Sequence, residues 1–512
     1  MTASSLHAKD PGSDLLFHLE LEKYDQLMLM TGFITLILVL LLMFKDWPLL
    51  KRFTESIPQS CILILIGCLV GVIAHFTSVL NDLEQYITAD LFFKYLLPPI
   101  ILDSAYQLYC KDFLFNLDGI MTLALVGTTL NIFAIGGSIY GLYGLFNGLS
   151  LLKCLLLASI ISAVDPVAVL AVFNQIGVQS TLYFLIFGES LLNDGVTVVV
   201  FDTLEKIAFA NIQSSTLGYA ILSFIPIAVG GTLIGIIYGI LTAMLLKNTS
   251  KKGLILEPTL MLFMAYFAFL NAQLFHWSGI LALIGVGITQ KRYAAGNICE
   301  EAEMTLENMA AILATLAETI IFGILGFSIM KIHWVSIDWW LVGISVVACF
   351  VFRFIFTYAI GSVLNTFRRS KLSPSYLFMM SYGGLRGAVS FAMAASLTHK
   401  AIRYKFMETT LLVIMFTVFL QGGSAKLFVK LFGFEEAEKK KQTSTAAITD
   451  RMNDHSMAGM EAILGGGTIV HSWVERFETF EKRYIQPLLC RKKTPQDWIN
   501  KFMEKKDKFH TF

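Results

Sequence analysis

Charge is what this chain has least of. Of its 512 residues only 15% are Asp, Glu, Lys or Arg, 55% are hydrophobic, and the mean hydropathy is +0.66. A soluble domain carries about 25% charged residues, so an ordinary water-soluble fold is excluded. The seven cysteines show no paired metal spacing, and most fall inside or beside apolar runs, which reads as packing rather than a disulfide framework. No nucleophile–base set, metal-ligand spacing or phosphate loop stands out. An enzyme is therefore the least supported class, and no cofactor, resident metal or nucleic-acid partner is expected. The first 25 residues are polar and lack both a basic n-region and a small-residue cleavage site, so no removable signal peptide is expected.

What the chain does have is apolar length. About thirteen stretches approach the roughly twenty residues that span a hydrocarbon core: 26–44, 57–74, 90–108, 119–144, 151–174, 181–207, 217–246, 256–275, 277–290, 303–330, 338–364, 374–398 and 404–432. They are longer and more continuous than the alternating strands of a barrel, and backbone polar groups cannot be left open in lipid. The fold class expected is an all-α polytopic membrane bundle. Its domains read as an extracellular 1–25, a membrane domain 26–432 and a short cytoplasmic helical tail 433–512, which opens with the charged, polar "EEAEKKKQTSTAAITDRMND".

Basic residues gather in one set of alternate connections, at Lys45, Lys51 and Arg52, Lys111, Lys247, Lys251 and Lys252, Lys291 and Arg292, and Arg368, Arg369 and Lys371, while the other set is poorer apart from Lys400, Arg403 and Lys405. Lys and Arg are retained on the cytoplasmic side, which puts the N-terminus outside and the C-terminus inside. The Asn248 sequon then lies inside and should go unglycosylated.

The few charges inside the spans are the informative ones: Asp103, Asp165, Glu189, Asp194, Glu318, Arg353 and Arg386. Each costs about 2.5–3.5 kcal/mol at the bilayer centre, so each needs a partner or a water-filled cavity. One alone could be a helix–helix polar contact; seven together make a site. Two spans also carry helix breakers at mid-depth. In "ISAVDPVAVLAVF" Asp165 precedes Pro166, which removes a backbone donor and disfavours helical geometry in the residue before it. In "YGGLRGAVSF" Gly383, Gly384 and Gly387 surround Arg386 and weaken the helix there. If the seventh span is a linker, each break falls in the fifth span of its half. That is the signature of an inverted-repeat transporter with unwound helices and its ion site at the midplane.

In "FGESLLNDGVTVVV" Glu189 and Asn193 are four apart and share a helical face, while Asp194 is turned about 100° further round. Glu189 can thus meet a structural cation, Arg353 or Arg386, while Asp194 points into a cavity. A carboxylate that must hold either a proton or a hard monovalent cation to cross makes the two compete, which suffices for antiport.

These segments, with "YLLPPIILDSAY", resemble the signature segments of animal plasma-membrane sodium/proton exchangers of the cation/proton antiporter superfamily. The resemblance implies an ion site at Asp194, Asn193 and Asp165, and a structural ion pair between Glu189 and Arg353. It implies crossed unwound helices, with the unwound segments at Pro166 and at Gly383, Gly384, Arg386 and Gly387, and Asp103, Glu318, Pro98 and Pro99 shaping the core. The Asn-Asp order looks like the electroneutral version, one Na+ for one H+, with Li+ a further candidate cargo. In "NAQLFHWSGILAL" Gln273 stands where plasma-membrane relatives commonly carry Glu, beside His276 and Gly279 in a segment associated with amiloride-type inhibitors. Reduced sensitivity is expected.

The tail carries one apolar helical stripe at Val470, Trp473, Phe477, Phe480 and Tyr484 and another at Met452, Met457, Met460 and Leu464. Such stripes serve internal packing, a dimer, or docking in the groove of a partner. "DHSMAGMEAILGGG" resembles the family's docking segment for calcineurin-B homologous EF-hand proteins, and Arg491-Lys492-Lys493 could meet anionic lipid. A homodimer is implied by the family. The expected function is electroneutral exchange of extracellular Na+ for intracellular H+ at the plasma membrane, regulating intracellular pH and volume. The alternatives are an organellar K+(Na+)/H+ or an electrogenic antiporter and, more distantly, a cation channel, which would need filter loops or repeated rings.

Overall fold

A computed structural model describes residues 35–39, 58–77, 91–110, 116–145, 148–165, 167–176, 180–209, 216–249, 254–330, 337–368, 371–433 and 479–491, with the single positions 32, 113, 114, 178, 332, 334 and 476. Regular structure among them is helical. The elements are α1 (Gln59–Thr77), α2 (Leu97–Leu108), α3 (Leu117–Gly144), α4 (Leu151–Ser162), α5 (Val167–Ile176), α6 (Ser180–Phe209), α7 (Thr216–Asn248) and α8 (Leu256–Leu274). They continue as α9 (Gly279–Thr289), α10 (Glu300–Met330), α11 (Trp339–Phe367), α12 (Pro374–Tyr382), α13 (Ala388–Ser396), α14 (Lys400–Phe416, which runs on through Thr417–Gly422 to Gly423–Leu431) and the tail helix α15 (Gln486–Leu489).

Six described helices are long and apolar enough to cross a membrane by length and composition, with the shorter ones packed between them. The apolar surface points both ways: Phe263, Ile237, Val347 and Val363 are exposed while Phe269, Phe406, Ile64 and Leu156 are buried. Helices that are apolar all round are what a lipid solvent permits. Since lipid gives no hydrophobic drive for helix association, close backbone approach matters more. At the α7–α9 crossing a Cβ on Gly235 would run into the carbonyl oxygen of Ala282, so only glycine lets these two helices meet. α1 packs along α10, α3 along α4, α10 along α2, and α6 along α4.

Both expected interruptions are present. α4 stops at Ser162 and α5 starts at Val167, with Ala163 and Asp165 in extended or irregular backbone; Pro166 itself lies outside the described residues. α12 stops at Tyr382, α13 starts at Ala388, and residues 383–387 form the second break. Of the tail calls, Met457, Met460, Leu464, Trp473 and Phe477 lie outside the described residues, whereas Phe480 is exposed and its ring meets that of Tyr484 at a tilt, centroids 5.1 Å apart.

Candidate functional site

The two breaks cross each other. The backbone N–H of Asp165 donates to the carbonyl of Leu385 at 2.8 Å, joining the first unwound segment to the second. Each segment also supplies the charge that the other's helix end needs. Arg386 extends its Nη1 to the carbonyls of Ser162, at 2.7 Å, and Ala163, at 3.4 Å, the electronegative C-terminal end of α4. Asp165 sits at the electropositive start of α13, where the backbone of Ala388 hydrogen-bonds to its carboxyl, and its Oδ1 also accepts from the N–H of Val167 at 3.0 Å. Charges opposite to the macrodipole stabilise helix ends, and here they also satisfy groups that the breaks orphan. Gly387 is required by contact: a Cβ there would collide with the Asp165 carboxyl.

α6 passes against this crossing and is tied to it on one face. Ser190 donates to the carbonyl of Val164, and Asn193 Nδ2 donates to the carbonyl of Ser162 at 3.4 Å. Thr197 bonds back to the carbonyls of Asn193, 2.9 Å, and Asp194, 3.1 Å, as hydroxyls on apolar helices do. Glu189 is 1% exposed and Arg353, on α11, 4%. Their two parallel contacts, Nη1 to Oε1 at 2.5 Å and Nη2 to Oε2 at 2.8 Å, make a bidentate pair, and Nη2 also reaches the carbonyl of Met380 at 3.2 Å. Arg386 is thus not the partner of Glu189; it is committed to the backbone of α4.

Asp194 is the exception on this helix. Its Oδ1 and the Oδ1 of Asn193 are buried and take no hydrogen bond from the described residues. Asp194 lines a cavity of about 270 Å³ together with Asp165, Asp103 and Glu318. Gln107 donates to Asp103 at 2.8 Å, and among the described lining residues none is basic. Four carboxyl groups around one space without a cation cannot all stay charged and bare, so the space calls for protons or a metal cation. Asp103 and Glu318, read from the sequence as shaping the core, share the cavity with Asp165 and Asp194.

A second cavity, about 300 Å³, lies further along α6, lined by Asp202, Glu205, Lys206, Gln273, His276 and Gly279. His276 is exposed and holds the left-handed backbone at φ 58° in the turn between α8 and α9. Leu97 lines both cavities, yet Asp194 lines only the first. Ser190, Asp202 and Glu205 were not singled out from the sequence. Ser190 was overshadowed by its charged neighbour, and the two acids lie close enough to the span's end to pass as interfacial.

Comparison with known proteins follows the same lines. The family model for the transmembrane part of sodium/hydrogen exchangers matches residues 34–431. Na(+)/H(+) exchanger beta of Oncorhynchus mykiss is 36% identical over 459 residues, 88% of this chain and 59% of that protein. Sodium/hydrogen exchanger 5 of Homo sapiens is 37% identical over 452 residues, 86% of this chain and 50% of that one. The chain thus spans about half the length of these curated relatives. Among solved structures, the sodium proton antiporter MjNhaP1 from Methanocaldococcus jannaschii superposes with a TM-score of 0.61 at 17% identity, covering 80% of this chain and 100% of its own, a likeness of fold.

Proposed function

This chain belongs to the sodium/hydrogen exchanger family, and we propose that it exchanges extracellular Na+ for intracellular H+ by alternating access, through Asp194. The observation that carries this reading is the division of labour on α6. Glu189 is fixed by Arg353, while Asp194, one helical step round from Asn193, lines a space shared with the carboxyls of Asp165, Asp103 and Glu318.

The chemistry is competition for one oxygen set. Asp194 and Asn193 offer hard oxygens that no described donor occupies, with the Asp165 carboxyl close by, and such oxygens suit a hard cation as readily as a proton. Bare, the site is costly to carry through the apolar layer marked by Leu97; loaded with either ion, it is neutralised and can face the other cavity. Asn193 contributes no charge, so one Na+ and one H+ per cycle leave the exchange electroneutral. A tenfold inward sodium gradient then supports about 1.4 kcal/mol of work per proton expelled.

The same reading puts the N-terminus outside, the membrane domain at 26–432 and a regulatory tail at 433–512 in the cytoplasm. It places the protein in the plasma membrane as a homodimer that regulates intracellular pH and volume. A calcineurin-B homologous EF-hand partner on Met457, Met460, Leu464, Trp473, Phe477 and Phe480, and anionic lipid near Arg491, complete the proposal. The deciding experiment is sodium-dependent recovery of internal pH in acid-loaded vesicles clamped at two voltages. Recovery that ignores voltage and vanishes in Asp194→Asn is expected. Voltage-dependent recovery, at about 2.3 kcal/mol per charge per 100 mV, would overturn the electroneutral stoichiometry, and persistence in the mutant would remove Asp194 from the mechanism.

A further inference from the structure

A buried polar network stands next to the ion cavity without lining it. Gln290 opens the π-helical turn that continues α9, and it is 0% exposed. The Tyr106 hydroxyl, on α2, donates to Gln290 Oε1 at 2.5 Å. Gln290 Nε2 donates in turn to Thr242 Oγ1, on α7, and to the Met261 carbonyl, on α8, each at 3.1 Å. Thr242 passes its own proton back to the Tyr238 carbonyl at 2.7 Å. Four helices are thus tied at one amide, whose oxygen and both N–H groups are engaged. A buried network of this kind is costly to leave half made, so it specifies one arrangement of the helices it joins.

Of the four, α2 is the helix that reaches the cavity. A Cβ on Gly287 would come within 2.6 Å of the Ala105 Cβ, so α2 and α9 already touch one residue before Tyr106. That contact sets the distance between the two helices but leaves α2 able to turn about its axis; the Tyr106–Gln290 bond removes that freedom. Asp103 lies three residues before Tyr106 and Gln107 one after, and both line the ion cavity, with Gln107 donating to Asp103 at 2.8 Å. A turn of α2 would carry this pair away from Asp165 and Asp194, which the first break and α6 hold together through Ser190 and Asn193.

We propose that Tyr106 and Gln290 are positioning residues for cation loading: they fix the rotation of α2 and so present the Asp103 carboxyl to the cavity. The part that concerns loading rests on the exchange reading; the hold on α2 does not. With Asp103 presented, a cation entering the cavity meets its negative field together with that of Asp165 and Asp194. With α2 turned, that field is weaker and more sodium is needed to fill the site, while the movement of the filled site is unchanged.

The test uses the full chain with Tyr106→Phe, which deletes one hydroxyl, and Gln290→Leu, which deletes the hub. The first readout is the half-saturating sodium concentration and the maximal rate of proton efflux per folded molecule. In each variant half-saturation should rise about fivefold, the low end of ordinary coupling between sites, with the maximal rate within about twofold of the parent. The tyrosine change is then repeated in Asp103→Asn. Because its effect runs through the Asp103 carboxylate, it should add less than about twofold there. A full further rise in that background, or a fall in maximal rate with half-saturation unmoved, would overturn the positioning role. The second readout is free of transport: the rate at which the Leu108→Cys thiol takes up a maleimide, followed by peptide mass spectrometry. Leu108 is 0% exposed beside the exposed Gln107, so labelling requires α2 to turn. Tyr106→Phe should speed it about fivefold, the population change that one net buried hydrogen bond controls. Unchanged labelling would overturn the hold on α2. Absence of exchange in the unmodified protein would refute the functional reading, with the labelling still deciding whether Tyr106 and Gln290 fix α2.

Discussion

Arg353→Met takes away one half of the bidentate pair at the heart of the bundle and leaves the Glu189 carboxylate, 1% exposed, without its hydrogen-bonded cation. Arg386, the other guanidinium at that depth, holds the α4 carbonyls at 2.7 and 3.4 Å and cannot leave them without orphaning that helix end. Breaking a buried pair from one side costs about 3–5 kcal/mol, because the surviving charge keeps its desolvation and loses its compensation. Removing both charges, in Glu189→Met with Arg353→Met, leaves no lone charge and should recover at least half of that loss. Arg353→Lys should fall between, since an ammonium cannot match the two oxygens in parallel. Thermal unfolding in detergent, followed by size-exclusion fluorescence, ranks the four proteins. The expected order is unmodified, double variant, Lys, Met, with sodium half-saturation in the Lys variant unchanged within about twofold if the pair is structural. A methionine variant as stable as the parent, or a double variant no better than the single, would refute the reasoning. A normal melting curve with a large sodium shift would move Arg353 into the ion path.

Other outcomes follow from the same geometry. Gly387→Ala drives a methyl group into the Asp165 carboxyl and should abolish transport, whereas Gly296→Ala, which meets nothing within 4 Å, should leave it near normal. Gln273→Glu places a carboxylate in the wall of the second cavity and should increase block by a guanidinium inhibitor by about five- to tenfold, the scale of one partly screened ion pair; no gain would dissociate Gln273 from inhibitor binding. Burial pushes the Glu481 carboxyl up, but the hydrogen bonds and charge of Arg292 and the Tyr293 hydroxyl outweigh it and hold it below its ordinary value. A depressed acid stabilises above its unfolded value and loses that contribution only as pH falls through the folded one. The contribution of the Glu481–Arg292 pair, measured as the difference in melting temperature between the unmodified chain and Glu481→Gln, should therefore stay flat between about pH 8 and pH 6, above the ordinary glutamate range, and a change across that window would place another titrating group at the pair.

Much of this molecule is legible in its sequence, because several of its constraints act locally. Scarce charge and long apolar runs select lipid as the solvent whatever the partners of each helix. Asp165-Pro166 and the glycines around Arg386 break their helices through their own backbone chemistry, and both breaks occur where the residues put them. The period of α6 turns Asp194 away from the face shared by Glu189 and Asn193 before any neighbour arrives.

The long-range choices were open until the helices packed. Two arginines could have met Glu189, and only the crossing of the breaks, 224 residues apart at Arg386 and Ser162, assigns one to the carboxylate and the other to a helix end. Asp103 and Glu318 come from helices separated by most of the bundle in sequence, so their shared cavity with Asp165 and Asp194 is a property of packing alone. The tail shows the same division. Glu481 reads locally as one charge among many, and what buries it is an arginine 189 residues earlier. A chain fixes what each residue can tolerate within a few turns of itself, and tertiary structure decides which of several equivalent partners is near enough to satisfy it.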